Sequence, residues 1–473
     1  MGLDRFCLTI PTYRPERVVQ TVLDYDAHFS KFGHEIPIYV FDDSDHNLAA
    51  ANLSRIFPQL HRPVLVVGRK EKQAFLEELA VEVNCSGQDR IILERMLRPS
   101  FGGNRNHILL YTLGQKFMAV DDDIRPYGLV TFDLNKRRED PNLVIKGSPI
   151  SLKKVSPCKI EEDLVSAFLE VLGQTAGVVN GFLRGEYVQD PKADLYKNKS
   201  QILAASESVF HLVLSKGEFS EARIKMAETC LTGTDNLDSL DFAYFFLNDP
   251  SAQSLQDDGH VFIVSVYHPF VTKENWKNAC GASGYDNTEG LPAFFPTKLR
   301  FENYAYRLWI QREGYASAHI KAFQHHDRNA HERASLPNEI VNEEFANLLK
   351  DKLRQSLSGI GPVTMSFDYD GTITDEETVP ILSLGRKVCA DVEERIRDSD
   401  QHSGRYRQLI RFAQELRTEF MNFDAAAFYQ KAQQVIQEEF TYIAESQKLW
   451  PRCLEAVKNI QAGKGLPSHR IKA

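Results

Sequence analysis

A chain of 473 residues exceeds what one ordinary hydrophobic core organises, so roughly two to four domains are expected. Its 42% hydrophobic and 26% charged content is that of a globular protein and excludes collagen-like and low-complexity classes. A net charge of −9 carried by mixed-sign sequence argues against a nucleic-acid or anionic-membrane partner.

The first stretch alternates strand and helix in the manner of a parallel sheet. Phe6 to Ile10 is a short apolar run, and Pro15 sits where a helix begins, ahead of Val18, Val19, Val22 and Leu23 at helical spacing. Ile36 to Phe41 is the next strand and ends in Asp42 and Asp43. A helix over Leu48 to Ile56 and a strand over Val64 to Val67 continue a βαβαβ pattern. Gly102 and Gly103 precede a helix over Asn104 to Leu113, whose amide-rich start, with Asn104 and Arg105, suits an anion. Its plain alternative is capping and surface charge.

Lys116 to Val120 then reads as a buried strand that ends in three consecutive carboxylates, Asp121, Asp122 and Asp123. Carboxylates crowded this closely repel one another unless a cation or strong donors gather beside them, so the cluster predicts a divalent metal. Its place at the end of an apolar strand is where open α/β sheets bind ligands. A simple cap and turn is the alternative.

Further along, Ile160 to Leu172 and Gln201 to Leu214 read as helices and Val261 to Tyr267 as a strand. Ala279 to Gly290, rich in Gly, Ser and Asn, reads as a loop. Phe301 to Ile310 begins a helix, and Ile340 to Leu357 is amphipathic. Gly359-Ile-Gly-Pro362 marks a domain boundary. Trp276, Tyr285, Phe294 and Phe295 are either acceptor-stacking or core aromatics.

Seven cysteines, odd in number and never spaced C-x-x-C, indicate neither a disulfide framework nor a zinc knuckle. No apolar run approaches a membrane span, and the N-terminus lacks the layout of a signal peptide. A reducing, cytoplasmic location without a transmembrane segment is the expectation.

Ile10-Pro-Thr-Tyr-Arg-Pro15, Val40-Phe-Asp-Asp-Ser44, Gly102-Gly-Asn-Arg-Asn106 and Ala119-Val-Asp-Asp-Asp123, in this order, resemble the nucleotide-sugar half of A-type glycosyltransferases, especially family 2. The resemblance covers about the first 125 residues. It implies an α/β fold with a mostly parallel central sheet and flanking helices. It also implies Pro11, Thr12, Arg14, Asp42 and Asp43 near the nucleotide, and Asp121 with Asp123 at a Mn²⁺ or Mg²⁺ ion, Asp122 lying between them on the donor side. Asp42 and Asp43 as turn residues, and Arg14 on the surface, are the alternatives.

The same family carries a Glu-Asp pair ahead of a later helix, and here Phe301-Glu-Asn-Tyr304 with Arg307-Leu-Trp309 stands in that place. Asn303 cannot accept a proton, so stereochemistry is left open and Glu302 is the candidate catalytic residue, as acceptor base or donor-sugar contact. A helix-start acid is the alternative. Phe323-Gln-His-His-Asp327 and His331 supply histidines of the kind that completes such metal sites. Adjacent residues of an extended segment point opposite ways, so one of the pair reaches the metal, and His326 is favoured slightly over His325.

A second resemblance lies beyond the boundary. Val363-Thr-Met-Ser-Phe-Asp-Tyr-Asp-Gly-Thr372 is similar to the first motif of haloacid-dehalogenase-like phosphatases, which implies Asp368 as nucleophile and Asp370 as proton handler. Leu409, Ala413, Leu416 and Phe420 are spaced as on a helix, suiting a helical cap. The family's later Ser or Thr, Lys and acidic pair find no place before Ala473, so a partial, mostly helical module without phosphatase activity is expected.

The expected organisation is 1–125 as nucleotide-sugar half, 126–358 as acceptor half with an inserted subdomain, and 363–473 as the partial module. The expected function is metal-dependent transfer of a sugar from a nucleoside diphosphate donor to a hydroxyl acceptor: glycan, small molecule or protein. A sugar-phosphate nucleotidyltransferase and a non-catalytic nucleotide- or glycan-binding protein are the competitors. The nucleotidyltransferase's Gly-rich basic loop is replaced by Pro11-Thr-Tyr13.

Overall fold

The computed structural model describes residues 6–130, 143–146, 150–151, 158–179, 182–189, 208–214, 221–233, 260–261, 264–265, 269–272, 281–294, 313–327 and 425–471, with scattered helical positions at 306–310 and 390–418. The N-terminal half runs β1 (Phe6–Thr12), α1 (Arg17–Phe32), β2 (Ile38–Asp42), α2 (Leu48–Ile56), β3 (Val64–Val67), α3 (Arg69–Glu82), α4 (Gly87–Met96), α5 (Phe101–Tyr111) and β4 (Lys116–Val120). Short strands β5 (Ile124–Arg125), β6 (Gly128–Val130), β7 (Leu143–Lys146), β8 (Ile150–Ser151) and β9 (Cys158–Ile160) follow. Next come α6 (Leu164–Val171), β10 (Leu183–Gln189), β11 (Ser208–Leu214) and β12 (Ile224–Gly233). The described chain continues with β13 (His260–Val261), β14 (Val264–Ser265), β15 (Phe270–Thr272), β16 (Ala282–Asp286) and β17 (Ala316–His326). It closes with the long helix α7 (Ala425–Gly463) and β18 (His469–Arg470).

This is an α/β architecture around one large mixed sheet, ordered β14-β7-β11-β10-β15-β17-β12-β16-β4-β1-β2-β3-β18. The N-terminal strands β1, β2, β3 and β4 are mutually parallel, whereas β16 lies antiparallel to β4. Strand alternation divides the core between two faces. Phe6, Leu8 and Ile10 of β1 pack with α1, α2 and α6, while Cys7 faces the cluster built by α3, α4, α5 and α7. Helices therefore cover both faces, as parallel strands require.

Four departures from the sequence expectations are instructive. Ser208–Leu214 is a strand paired antiparallel with β10, not the end of a helix, because its Val, Phe and Leu fit a pleated sheet. Ala282–Asp286, expected as loop, is a fully buried strand between β4 and β12. Its small residues are what lets the neighbours close in: a Cβ on Gly284 would sit 2.5 Å from Phe168 Cδ1. The stretch at Val261 divides into two short strands rather than one. Finally, α5 starts at Phe101, capped by Ser100 Oγ accepting from Gly103 N at 3.0 Å, so Asn104 and Arg105 stand one turn inside the helix rather than at its tip.

The C-terminal residues belong to this body. Leu449, Trp450, Cys453, Val457 and Ile460 of α7 are buried with Phe75, Leu79, Leu93 and Ile108. β18 then pairs antiparallel with the β3 edge, and Ile471 enters the core on the opposite face. No helix among the described residues is long and apolar enough to cross a membrane.

One buried ion pair anchors α1 to the start of β3. Asp26 and Arg62 side chains are each 2% exposed, with Arg62 Nε 2.6 Å from Asp26 Oδ1. Asp26 Oδ2 accepts from His61 N at 3.0 Å. Burial alone would raise the Asp26 carboxyl, but Arg62 and His61 override it and hold it below the ordinary range. Asp26→Ala is expected to cost about 3–5 kcal/mol, read from urea denaturation, because it strands a buried guanidinium. Since the folded-state pKa is depressed, this stabilisation is present at neutral pH and is lost as pH falls below the ordinary carboxylate value toward the folded one.

Candidate functional site at the β1–β4 crevice

Chain direction through the sheet fixes where a ligand fits. From β1 the chain steps outward to β2 and β3, then crosses back to place β4 on the other side of β1. The carboxyl ends of β1 and β4 thus flank the switch point, and the residues following each strand meet there. Thr12 Oγ1 of β1 donates to Asp122 Oδ2 at 2.5 Å, and Arg14 Nε donates to the same oxygen at 3.3 Å. Arg14 Nη2 also contacts Asp122 Oδ1 and lies 2.7 Å from Asp123 Oδ2. Arg17, one helical step beyond, brings Nη1 within 3.7 Å of Asp123 Oδ2.

The three acids take different places. Asp121 is the exposed one, with 42% of its side chain open, and receives Arg105 Nη2 at 3.1 Å. Its backbone N–H donates to Gly281 O at 2.9 Å, and a Cβ at Gly281 would fall 2.1 Å from Asp121 Oδ2, so any side chain there would displace the Asp121 carboxylate. Asp122 is buried against β1. Burial pushes its carboxyl up to about 6 against the opposing pull of Arg14. Asp123 is buried as well; burial would raise it, yet His326 and Arg14 hold it well below the usual carboxylate range.

Strand register brings His326 to this point. β17 pairs antiparallel with β5, matching His326 to Ile124, and His326 Nε2 comes within 3.1 Å of Asp123 Oδ1. His325 faces the other way, where it meets Thr232 Oγ1 at 3.2 Å and stacks on Tyr127. Burial lowers its pKa to about 4. The alternation expected of adjacent strand residues is therefore present, with His326 on the acid side.

The acids after β2 divide similarly. Asp42 is spent on structure: Oδ1 accepts from Ser44 N at 2.8 Å and Oδ2 from Ala49 N at 3.2 Å, which sets the entry to α2. Asp43 turns to Lys72 Nζ at 2.5 Å, and Lys72 also donates to Asn104 Oδ1 at 2.8 Å. Asn104 Nδ2 in turn donates to Phe41 O at 3.1 Å, so it ties α5 to β2. Burial lowers the pKa of Lys72 despite these carboxylates. Pro11 lies in β1 opposite Phe41.

Lys72 and Arg17 were missed by sequence reasoning. Arg17 had a readable signal, since it stands three positions after Arg14 at the start of a helix. Lys72 had a weaker one, a basic residue in the first turn after a strand that neighbours β2. Tyr285 and Phe294 are core residues, stacked on Phe117 and Tyr306 respectively. Glu302, Asn303, Trp276, Phe295, His331, the amphipathic stretch at 340–357, and Asp368 and Asp370 lie outside the described residues.

The crevice juxtaposes carboxylates and guanidiniums across one strand gap. Among the described residues no three carboxylate, imidazole or thiol groups converge on one point. Asp123 and His326 are in direct contact at 3.1 Å. A carboxylate beside a neutral imidazole is a donor set that a divalent ion can share, with phosphate and water completing its shell. The chain matches no protein-family model and no curated protein.

Proposed function

We propose that the chain is a cation-dependent glycosyltransferase of the A type, moving a sugar from a nucleoside diphosphate donor to a hydroxyl acceptor. The observation that carries this reading is the meeting of Thr12, Arg14, Asp122, Asp123 and His326 at the switch point between β1 and β4. Nucleoside contacts fall to Pro11, Thr12 and Asp43 on the β1–β2 side. The diphosphate lies over Arg14 and Arg17, and Asp123 with His326 holds Mn²⁺ or Mg²⁺, Asp121 standing at the open rim.

A bound divalent ion neutralises the charge that gathers on the departing diphosphate. The chain's own contribution is orientation and charge. Arg14 presents a planar fork suited to phosphate oxygens, and Arg105 holds Asp121 at the crevice rim. The network of Lys72, Asp43 and Asn104 fixes the floor on the nucleoside side. Glu302 is the proposed acceptor-side group. With this reading goes a cytoplasmic setting and a largely helical C-terminal segment.

The test is release of nucleoside diphosphate from UDP-, GDP-, CDP- and dTDP-sugars with Mn²⁺, with and without chelator. Chelator-sensitive release is expected from one of these donors. Pyrophosphate release from a nucleoside triphosphate and a sugar phosphate would instead identify a nucleotidyltransferase. Metal-dependent nucleotide binding without turnover would identify a binding protein.

A further inference from the structure

Arg14 sits where a cation would be wanted. Its Nη2 bridges two carboxylates that are almost wholly buried, contacting Asp122 Oδ1 and lying 2.7 Å from Asp123 Oδ2. The opposite oxygen of Asp123 faces His326 Nε2 at 3.1 Å. One carboxylate is thus shared between a guanidinium and the imidazole that completes the donor pair. A divalent ion seated on Asp123 and His326 and a guanidinium on the same carboxylate repel each other across a few ångströms of poorly hydrated space.

The side chain is also placed to move. It stands in the segment after β1, anchored by its backbone N–H on Thr12 Oγ1 at 2.9 Å, and is 21% exposed where both acids are at most 4% exposed. Its guanidinium carbon lies 5.4 Å from the ring of Tyr13, which is 61% exposed. A swing toward Tyr13 would carry the fork from the acids toward solvent, where a diphosphate would offer it new oxygens.

We infer that Arg14 is a stand-in cation: it neutralises Asp122 and Asp123 before the donor binds, then passes to the donor's diphosphate as the divalent ion takes Asp123 and His326. This rests on the donor-site reading above. It makes ion and nucleotide binding mutually reinforcing, because each removes the competitor of the other, and the coupling is reciprocal by linkage. Ion uptake is thereby confined to the loaded site.

The experiment is titration with Mn²⁺ followed by its electron paramagnetic resonance signal, alone and with UDP, GDP, CDP or dTDP. In the wild-type chain Mn²⁺ is expected to bind about tenfold more tightly with the preferred nucleotide than without it. Arg14→Gln is expected to tighten Mn²⁺ binding without nucleotide about tenfold and to reduce the nucleotide effect to near unity. Arg14→Lys keeps the charge without the fork, so it is expected to keep Mn²⁺ binding weak in the absence of nucleotide while losing most of the enhancement. Arg14→Gln values within about twofold of wild type for both quantities overturn the inference. Should Arg14→Gln lose its near-ultraviolet circular dichroism, an Arg14→Lys enhancement equal to wild type overturns it. If no nucleotide promotes Mn²⁺ binding to the wild-type chain, the donor-site reading itself falls and takes the inference with it.

Discussion

A chain ending at Thr441 is expected to be insoluble or to lack a cooperative melting transition, although the deletion leaves the β1–β4 crevice residues in place. The lost segment supplies Leu449, Trp450, Cys453, Val457 and Ile460 to the cluster that covers one sheet face. Burial of a Trp alone is worth about 3–5 kcal/mol by substitution with Ala, and whole-domain stabilities are about 5–15 kcal/mol, so several such losses exceed the available margin. Polar contacts go with them: Trp450 Nε1 donates to Leu291 O at 2.7 Å and Tyr111 Oη to Pro467 O at 2.7 Å. Removal of β18 also bares the β3 edge, a template for aggregation. Trp450→Ala provides the milder version, with an expected loss of about 3–5 kcal/mol in urea denaturation. A truncated chain melting as the full one does would mean that the contacts of α7 and β18 contribute little.

This dependence on the C-terminus was illegible in the sequence for a physical reason. Leu449, Trp450, Cys453, Val457 and Ile460 announce an apolar helical face, but periodicity says nothing about which surface that face meets. The partner surfaces, α3 and α4, were themselves missed. Both carry dense charge, and their buried positions, Phe75, Leu79, Ile92 and Leu93, are few in each helix. By contrast, Leu48–Ile56, Val64–Val67 and Lys116–Val120 were read to the residue, because short apolar runs bounded by polar turns leave little choice of ends.

The crevice divides the same way. The meeting of the ends of β1 and β4 follows from topology, since they are neighbours once the crossover reverses. Strand alternation said that one of His325 and His326 faces the acids; the pairing of β17 with β5 settles that it is His326. What alternation cannot give is the sense in which a turn points its side chains, and there the three acids part company: Asp121 to the rim, Asp122 to β1, Asp123 to β17. Asp42 likewise had two readings in the sequence, nucleotide contact or turn residue, and it binds the approach to α2 with two amide hydrogen bonds. A small-residue strand such as Ala282–Asp286 is similarly hidden, because Gly284 within it and Gly281 just before it answer to Phe168 and Asp121 rather than to any local preference for strand.

Those different placements give Asp121 and Asp123 different expected kinetics. Asp123→Asn is expected to lower donor turnover by about 100- to 1,000-fold and to weaken Mn²⁺ binding in step, the size of loss seen when one preorganised electrostatic contact is removed. The substitution keeps shape but deletes the charge that faces both His326 and Arg14. At an effective permittivity of about 20, a unit charge pair at 4 Å is worth about 4 kcal/mol, which brackets that factor from above. Asp121→Asn should cost less, since its carboxylate stands at the rim, largely hydrated, where each pair is worth about 1 kcal/mol. On the proposed reading His326→Ala belongs with Asp123→Asn in weakening Mn²⁺ binding, and the double variant should be little worse than Asp123→Asn alone, because both donors are proposed to serve one ion. Fully additive losses across that pair would place the ion elsewhere and leave the contact of Asp123 with His326 as a purely structural tie between β5 and β17.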